Sequence, residues 1–202
     1  MKKEYDSFSA AVLAGGKGLR LNDTNKAFIN INGTPVIRRT LNTLKQLFNE
    51  IIIVTNSPGD FKAYGKECVI VQDIIKDKGP LSGIHSALTH ASGERVFVTA
   101  CDMPFISADF VKRLMAVASS GDYDCVIPSG KKGIEPLHGV YSRRILKLVS
   151  SLLRGSEYSV RRLIENCMHK YIEADEREIK SFYNINEKGD VLDIFRQCLK
   201  AI

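Results

Sequence analysis

The chain has 202 residues, of which 44% are hydrophobic and 26% charged, with six prolines and no long biased tract. That length and mix exclude an extended low-complexity protein and predict one domain with a full hydrophobic core. The formal net charge of +6 favours an anionic partner, yet the basic residues are dispersed along the chain, which suits phosphorylated small molecules better than nucleic acid.

The five cysteines are odd in number and form no C-x-x-C pair, so neither a disulfide framework nor a zinc knuckle is expected. Met1–Asp6 is charged and leads straight into a strand-like run without the apolar region of a signal peptide. No apolar run approaches the roughly 20 residues needed to span a bilayer. The expected setting is the reducing cytoplasm, with no membrane partner.

The first element is the apolar run ending at Leu13, predicted to be a buried strand and followed by Ala14-Gly15-Gly16-Lys17-Gly18. Glycines there carry no Cβ to obstruct a close ligand, and loop N–H groups can face phosphate oxygens. Lys17, Arg20 and Lys26 add positive charge, so the stretch reads as a nucleotide triphosphate site. A bare strand-to-helix turn is the bland reading of the same glycines.

Lys26–Gly33 alternates apolar and polar residues and ends in Asn-Gly, which predicts a short extended segment closing in a turn. Thr34 and Pro35 then suit the cap and first position of a helix whose Ile37, Leu41, Leu44 and Phe48 face a sheet. Ile51–Thr55 is too uniformly β-branched for a half-wet strand and predicts a central parallel one. A weak helix over 61–64 and a strand over 68–71 follow, with Asp73 just beyond.

Asp77–Ile84 is a glycine-proline loop leading into a helix with Ile84, Leu88 and Ala91. Arg95–Ala100 reads as another central strand, with Cys101-Asp102-Met103-Pro104 at its carboxyl end and Ser107 placed to cap the next helix. Beyond residue 120, strands over 124–128 and 137–141 flank a basic turn and suggest a hairpin-like excursion. Helices over 142–153 and 160–168, short strands near 170–173 and 182–184, and a last helix near 190–199 complete the pattern.

Alternating strands and helices specify an α/β fold: a three-layer, Rossmann-like, mostly parallel sheet flanked by helices. Such sheets bind ligands outside the carboxyl ends of their strands, where Gly15-Gly16, Asn56, Asp73 and Asp102 all fall. Residues 1–202 are expected to form one domain, with about 1–120 as a nucleotide-binding half and about 121–202 as an acceptor-side half.

The glycine loop has neither the G-x-x-x-x-G-K-[ST] spacing of a P-loop nor the G-x-G-x-x-G of a dinucleotide fold. Asp102 follows a buried strand among apolar neighbours, where a carboxylate could hold Mg²⁺, which takes one or two protein carboxylates plus phosphates and water. A turn or capping role is the alternative for Asp102, and more so for Asp73 and Asn56. His85 and His90 are too far apart in register to share a helix face, and His138 on a strand is more often core than catalytic. Ser156–Arg162 reads either as a basic ligand patch or as a solvated helix start.

Taken together, Leu13-Ala14-Gly15-Gly16, Arg20, Lys26, Gly33-Thr34-Pro35, Gly79–Gly83, Cys101–Pro104 and Asn184-Ile185-Asn186 resemble the molybdenum cofactor guanylyltransferases, in order and over nearly the whole chain. The resemblance implies a nucleotidyltransferase in which the terminal phosphate of molybdopterin attacks the α-phosphorus of GTP. It implies Leu13, Ala14, Gly15, Gly16 and Lys26 on the nucleotide, Asn56 and Asp73 near base and ribose, and Asp102 on Mg²⁺. Asn184 and Asn186 would lie near the metal or the acceptor, with Lys26, Asp102 and Arg20 as catalytic residues. Transient contacts with proteins that deliver and receive the cofactor would accompany this role. The chain departs from the family pattern at Leu21-Asn22, at Asn25 where Asp is usual, and at Glu187-Lys188.

Two alternatives accompany that reading. One is a related nucleotidyltransferase using CTP or another triphosphate with a different phosphorylated acceptor. The other is a non-catalytic nucleotide or nucleic-acid binder, although the absence of Trp leaves it without an interleaved aromatic surface.

Overall fold

The structure is a computed structural model that describes residues 6–15, 20–21, 24–155 and 158–185. Its strands are β1 (Phe8–Leu13), β2 (Arg20–Leu21), β3 (Thr24–Asn25), β4 (Asn30–Ile31), β5 (Thr34–Pro35), β6 (Ile51–Val54), β7 (Val69–Val71), β8 (Arg95–Ala100), β9 (Cys125–Gly130), β10 (Gly133–Ile134), β11 (His138–Ser142) and β12 (His169–Glu173). Its α-helices are α1 (Val36–Leu47), α2 (Pro80–His90), α3 (Ala108–Ser120), α4 (Leu146–Arg154) and α5 (Val160–Glu165). None of the described helices is long and apolar enough to cross a membrane.

Eight strands form one sheet in the order β10-β9-β11-β8-β1-β6-β7, with β12 pairing on β9. β1 lies parallel to both β6 and β8, with Leu13 opposite Val54 on one side and Ala100 on the other. Successive side chains on a strand point to opposite faces, and each central strand is apolar on both. Phe8, Ala10 and Val12 of β1 join one core layer with Leu41 and Leu44 of α1 and Phe110 and Leu114 of α3. Ala11 and Leu13 join the other, with Ile84 and Leu88 of α2, Val149 of α4 and Leu163 of α5. Each fully buried Leu, Ile or Phe contributes about 1.5–3 kcal/mol relative to leaving it exposed. The three-layer, mostly parallel arrangement is the one the alternating pattern predicts.

Several local expectations are met by the predicted chemistry. Asn32 and Gly33 both have positive φ, at 51° and 77°, and make the two-residue turn between β4 and β5. Ser107 caps α3 by accepting from Phe110 N at 3.3 Å. Ser159 caps α5 in the same way, so this part of the 156–162 stretch is a helix start. The only described thiols in contact are Cys125 and Cys167, with sulfurs 3.5 Å apart and no disulfide.

Other expectations are corrected. Thr34 does not cap α1: it lies in β5 opposite Ile31, and Pro35 takes the cap position without a side-chain hydrogen bond. The segment after residue 124 does pair in hairpin fashion, β9 antiparallel to β11, but it is no excursion from the sheet, because β11 inserts between β8 and β9, antiparallel to both. A hairpin pattern cannot reveal that insertion, since it depends on a free edge of β8 that only the assembled sheet offers. Residues 178–182 form a 3-10 turn rather than leading into a strand at 182–184, because Phe182 packs on Phe110 and His138 instead of pairing along an edge. The helix expected over 160–168 ends at Glu165. The helix expected near 190–199 lies outside the described residues.

Candidate functional site

The chain leaves β1 through α1 to β6 and β7 on one side, then returns through α2 to β8 on the other side of β1. Strand order therefore reverses at the carboxyl ends of β1 and β8, which is where open α/β sheets form their ligand crevice. Leu13 O accepts from Cys101 N at 3.1 Å and Ala14 N donates to Val54 O at 2.7 Å, which ties the start of the glycine loop to both neighbouring strand ends.

At Gly15 the loop comes within contact distance of two polar side chains. A Cβ there would stand 3.4 Å from Asn56 Nδ2 and 3.7 Å from Asp73 Oδ2, so the loop lies directly against those two side chains. They are joined to each other, with Asn56 Nδ2 donating to Asp73 Oδ2 at 2.8 Å. Burial pushes the Asp73 carboxyl above its usual range, the Asn56 hydrogen bond works against that, and Asp77 adds to it. Asp73 Oδ1 is buried with no hydrogen-bond partner. An acceptor oxygen withdrawn from water and left without a donor is costly unless a ligand supplies one.

The loop that carries Asp73 is stapled to α2 by two serines the motif reading passes over. Ile74 N donates to Ser86 Oγ at 2.9 Å, and Ser82 Oγ donates to Ile75 O. Their signal in the sequence is polarity on an otherwise buried helix face. Gly79 has φ 63° and ψ −155°, a conformation reserved for glycine, and it directs the chain into α2. Gly83 lets α2 approach β1, since a Cβ would come within 3.0 Å of the Leu13 methyl groups.

On the β8 side Asp102 is 8% exposed and Lys26 6% exposed. Burial raises the Asp102 carboxyl, and the Lys26 ammonium is the charge that opposes the shift. Lys26 opens a 3-10 turn, Lys26–Phe28, capped by Asn25, whose Oδ1 accepts from Ala27 N at 3.1 Å. Asn25 thus supplies the capping oxygen that an Asp at this position would supply. The Asp102 loop is braced by Thr40 Oγ1 donating to Met103 O at 3.3 Å.

Ile185 N donates to Asp102 O at 3.0 Å, which brings the end of the described chain onto the same loop. Neighbouring Asn184 has its Oδ1 buried without a partner. His138 is fully buried between Phe97, Phe110 and Phe182, and burial lowers its pKa to about 3, so it is a neutral core residue. Among the described residues no three His, Cys, Asp or Glu side chains converge.

The predicted positions therefore fall into two adjoining groups. Leu13, Ala14, Gly15, Asn56 and Asp73 meet around β1, β6 and β7, while Asp102, Lys26 and Asn184 meet around β8. Gly16, Lys17 and Asn186 lie outside the described residues, and Arg20 is described only as a backbone position in β2. The second group contains a buried ammonium and a desolvated carboxylate, with an orphaned amide oxygen on the residue preceding Ile185, which bonds the Asp102 loop; these are groups suited to a multiply charged ligand with a hard cation.

Known proteins share this architecture. The Archaeoglobus fulgidus molybdopterin-guanine dinucleotide biosynthesis protein A superposes with a TM-score of 0.81 at 24% identity, covering 95% of this chain and 99% of that one. An Anaerococcus prevotii 4-diphosphocytidyl-2C-methyl-D-erythritol synthase reaches 0.73 at 16% identity, covering 95% and 96%. A Clostridium perfringens protein described as a probable molybdenum cofactor guanylyltransferase is 36% identical, with 94% of this chain and 96% of that protein covered. The Desulfosudis oleivorans molybdenum cofactor guanylyltransferase is 32% identical, covering 92% and 93%. Residues 10–173 match the MobA-like NTP transferase domain. With that match spanning most of its length, the chain belongs to the MobA-like NTP transferase family and is a nucleotidyltransferase.

Proposed function

We propose that the protein transfers GMP from GTP to the terminal phosphate of molybdopterin, forming the guanine dinucleotide cofactor and releasing pyrophosphate. The carrying observation is the burial of both Lys26 and Asp102 at the switch point of the sheet, with the ammonium acting on the carboxylate, beside the Gly15–Asn56–Asp73 cluster. The names of the relatives from Clostridium perfringens and Desulfosudis oleivorans support guanine as the base and molybdopterin as the acceptor. The fold alone does not choose the base, since a cytidylyl-type synthase shares it.

In this reading the Ala14–Gly15 backbone and Lys26 hold the triphosphate, and Asn56 with Asp73 takes the base and ribose. Gly16 and the cations Lys17 and Arg20 belong to the same triphosphate loop. An oxygen of the acceptor phosphate attacks the α-phosphorus as the bond to the β-phosphate breaks. No covalent enzyme intermediate is needed, because a phosphate monoester is already nucleophilic near neutral pH. Lys26 acts on the charge that accumulates on the departing pyrophosphate, and positioning supplies much of the remaining rate.

Asp102 and the unpartnered Oδ1 of Asn184 are oxygen donors that fit Mg²⁺, which prefers few protein ligands plus phosphates and water. When bound, the ion supplies charge neutralisation between the two phosphate groups. In the division of labour about 1–120 takes the nucleotide and about 121–202 the acceptor, Asn184 and Asn186 belonging to the acceptor half. The setting is the cytoplasm, with transient contacts to proteins that deliver and receive the cofactor.

Pyrophosphate release tests the proposal when GTP, CTP, ATP and UTP are each offered with molybdopterin, with and without Mg²⁺. The expected result is Mg²⁺-dependent release with GTP. Equal or greater release with CTP would overturn the choice of base.

A further inference from the structure

One carboxylate on the acceptor side of the sheet sits on a firmly bonded backbone and, among the described residues, has no hydrogen-bond or ion-pair partner. Glu135 begins the link Glu135–Leu137 between β10 and β11, at the same end of the sheet as the glycine loop. Its own backbone N–H donates to Pro128 O of β9 at 2.9 Å, and its carbonyl accepts from His138 N at 3.1 Å. Two residues on, Leu137 O accepts from Ala100 N at 3.2 Å, and Ala100 ends β8 immediately before Cys101-Asp102. Between them, Pro136 O accepts from the buried Tyr141 hydroxyl at 2.7 Å. The link is thus bonded to both neighbouring strands and braced from within the core.

The Glu135 side chain is half-buried. Among the described residues its carboxylate forms no hydrogen bond or ion pair, and Lys132 is the charge that acts on it from a distance. Burial pushes its pKa up and Lys132 opposes that. A desolvated carboxylate on a fixed backbone gains from any ligand that brings N–H donors, and its two oxygens match two parallel donors best. It also repels phosphate, so it suits the end of the acceptor remote from the reacting phosphate.

We propose that Glu135 is the residue that reads the acceptor's heterocycle, its two carboxylate oxygens accepting the ring N–H and the amino N–H on the 2-amino-4-oxopyrimidine edge of a pterin. The inference rests on the acceptor assigned above. A substrate carrying two carbonyls on that edge loses one donor and sets an oxygen against the carboxylate. Glu135→Gln replaces one acceptor oxygen by a donor, so it removes the match without removing bulk.

The probes are a pterin bearing a 6-methyl phosphate and the matching lumazine, in which an oxygen replaces the 2-amino group. The wild-type protein binds the pterin roughly ten- to hundredfold more tightly, the range expected for a hydrogen bond to a charged group. Glu135→Gln abolishes this preference, while GTP affinity and the thermal midpoint stay at wild-type values. A preference that persists in Glu135→Gln, or one absent from the wild type, overturns the inference. Pyrophosphate release from GTP with molybdopterin is measured in parallel on the wild type. Turnover without a pterin preference defeats the Glu135 assignment alone. A Glu135-dependent preference without turnover sustains it and defeats the proposed reaction.

Discussion

The two sides of the crevice are built differently. On the β1–β6–β7 side every strand is parallel, and the residues assigned to the nucleotide follow directly after strand ends: Ala14 and Gly15 after β1, Asn56 after β6, Asp73 after β7. On the β8 side the sheet turns antiparallel through β11, and the cluster is gathered from distant places: Lys26 from a 3-10 turn, Asp102 from the end of β8, Asn184 from the far end of the described chain. A parallel sheet has one functional end, so sequence position there gives spatial position. A mixed sheet brings ligating groups together through tertiary bonds such as Ile185 N to Asp102 O.

The sharpest way to break this contrast is Asp102→Ala. It is expected to lower kcat by about 10³-fold or more, measured as pyrophosphate release, because it removes a buried carboxylate at the junction of the two sides. Turnover at the wild-type level would eliminate the metal assignment. Lys26→Ala is expected to cost about 10²-fold in kcat/KM for GTP, the scale for losing one preorganised charge on a leaving group.

A matched pair then separates the sides. Asn56→Ala removes the 2.8 Å bond to Asp73 and is expected to raise the KM for GTP about tenfold with the acceptor KM unchanged. Asn184→Ala is expected to do the reverse. If both variants move both constants equally, the division between nucleotide and acceptor sides is wrong.

The smallest effect on catalysis is expected at His138, beneath the β8 side. Its folded pKa of about 3 lies below the unfolded value of about 6.5, so the unfolded chain binds the extra proton between those limits. Its contribution to stability is complete above about pH 6.5 and falls by roughly 1 kcal/mol per pH unit as the pH drops towards 3. Urea unfolding at pH 7 and pH 5 should show a loss in the wild type that His138→Phe reduces, with kcat at pH 7 little changed. An identical pH slope in both proteins would remove His138 as its source.

The same contrast explains what was legible in advance. Gly15, Asn56, Asp73 and Asp102 could be placed at strand ends because their strands are largely β-branched or apolar. Asn25, Ser82, Ser86 and Glu135 could not, because each acts through one hydrogen bond or its absence, and neither leaves a periodic trace. Thr34 in β5 escapes the capping pattern, since Asn32-Gly33 closes a hairpin whose returning strand takes up the residue that would otherwise cap α1.

By itself, then, the amino-acid order determined the three-layer α/β class and the strand-end positions of the nucleotide side. Hydrophobic period and turn chemistry are local properties of the chain. Only the tertiary structure decided that β11 inserts beside β8, that Lys26 lies close enough to oppose the burial of Asp102, and that Asn184 is carried to the same loop. Those outcomes depend on which edges and buried charges remain unsatisfied once the parallel half has formed, and no stretch of sequence encodes that alone.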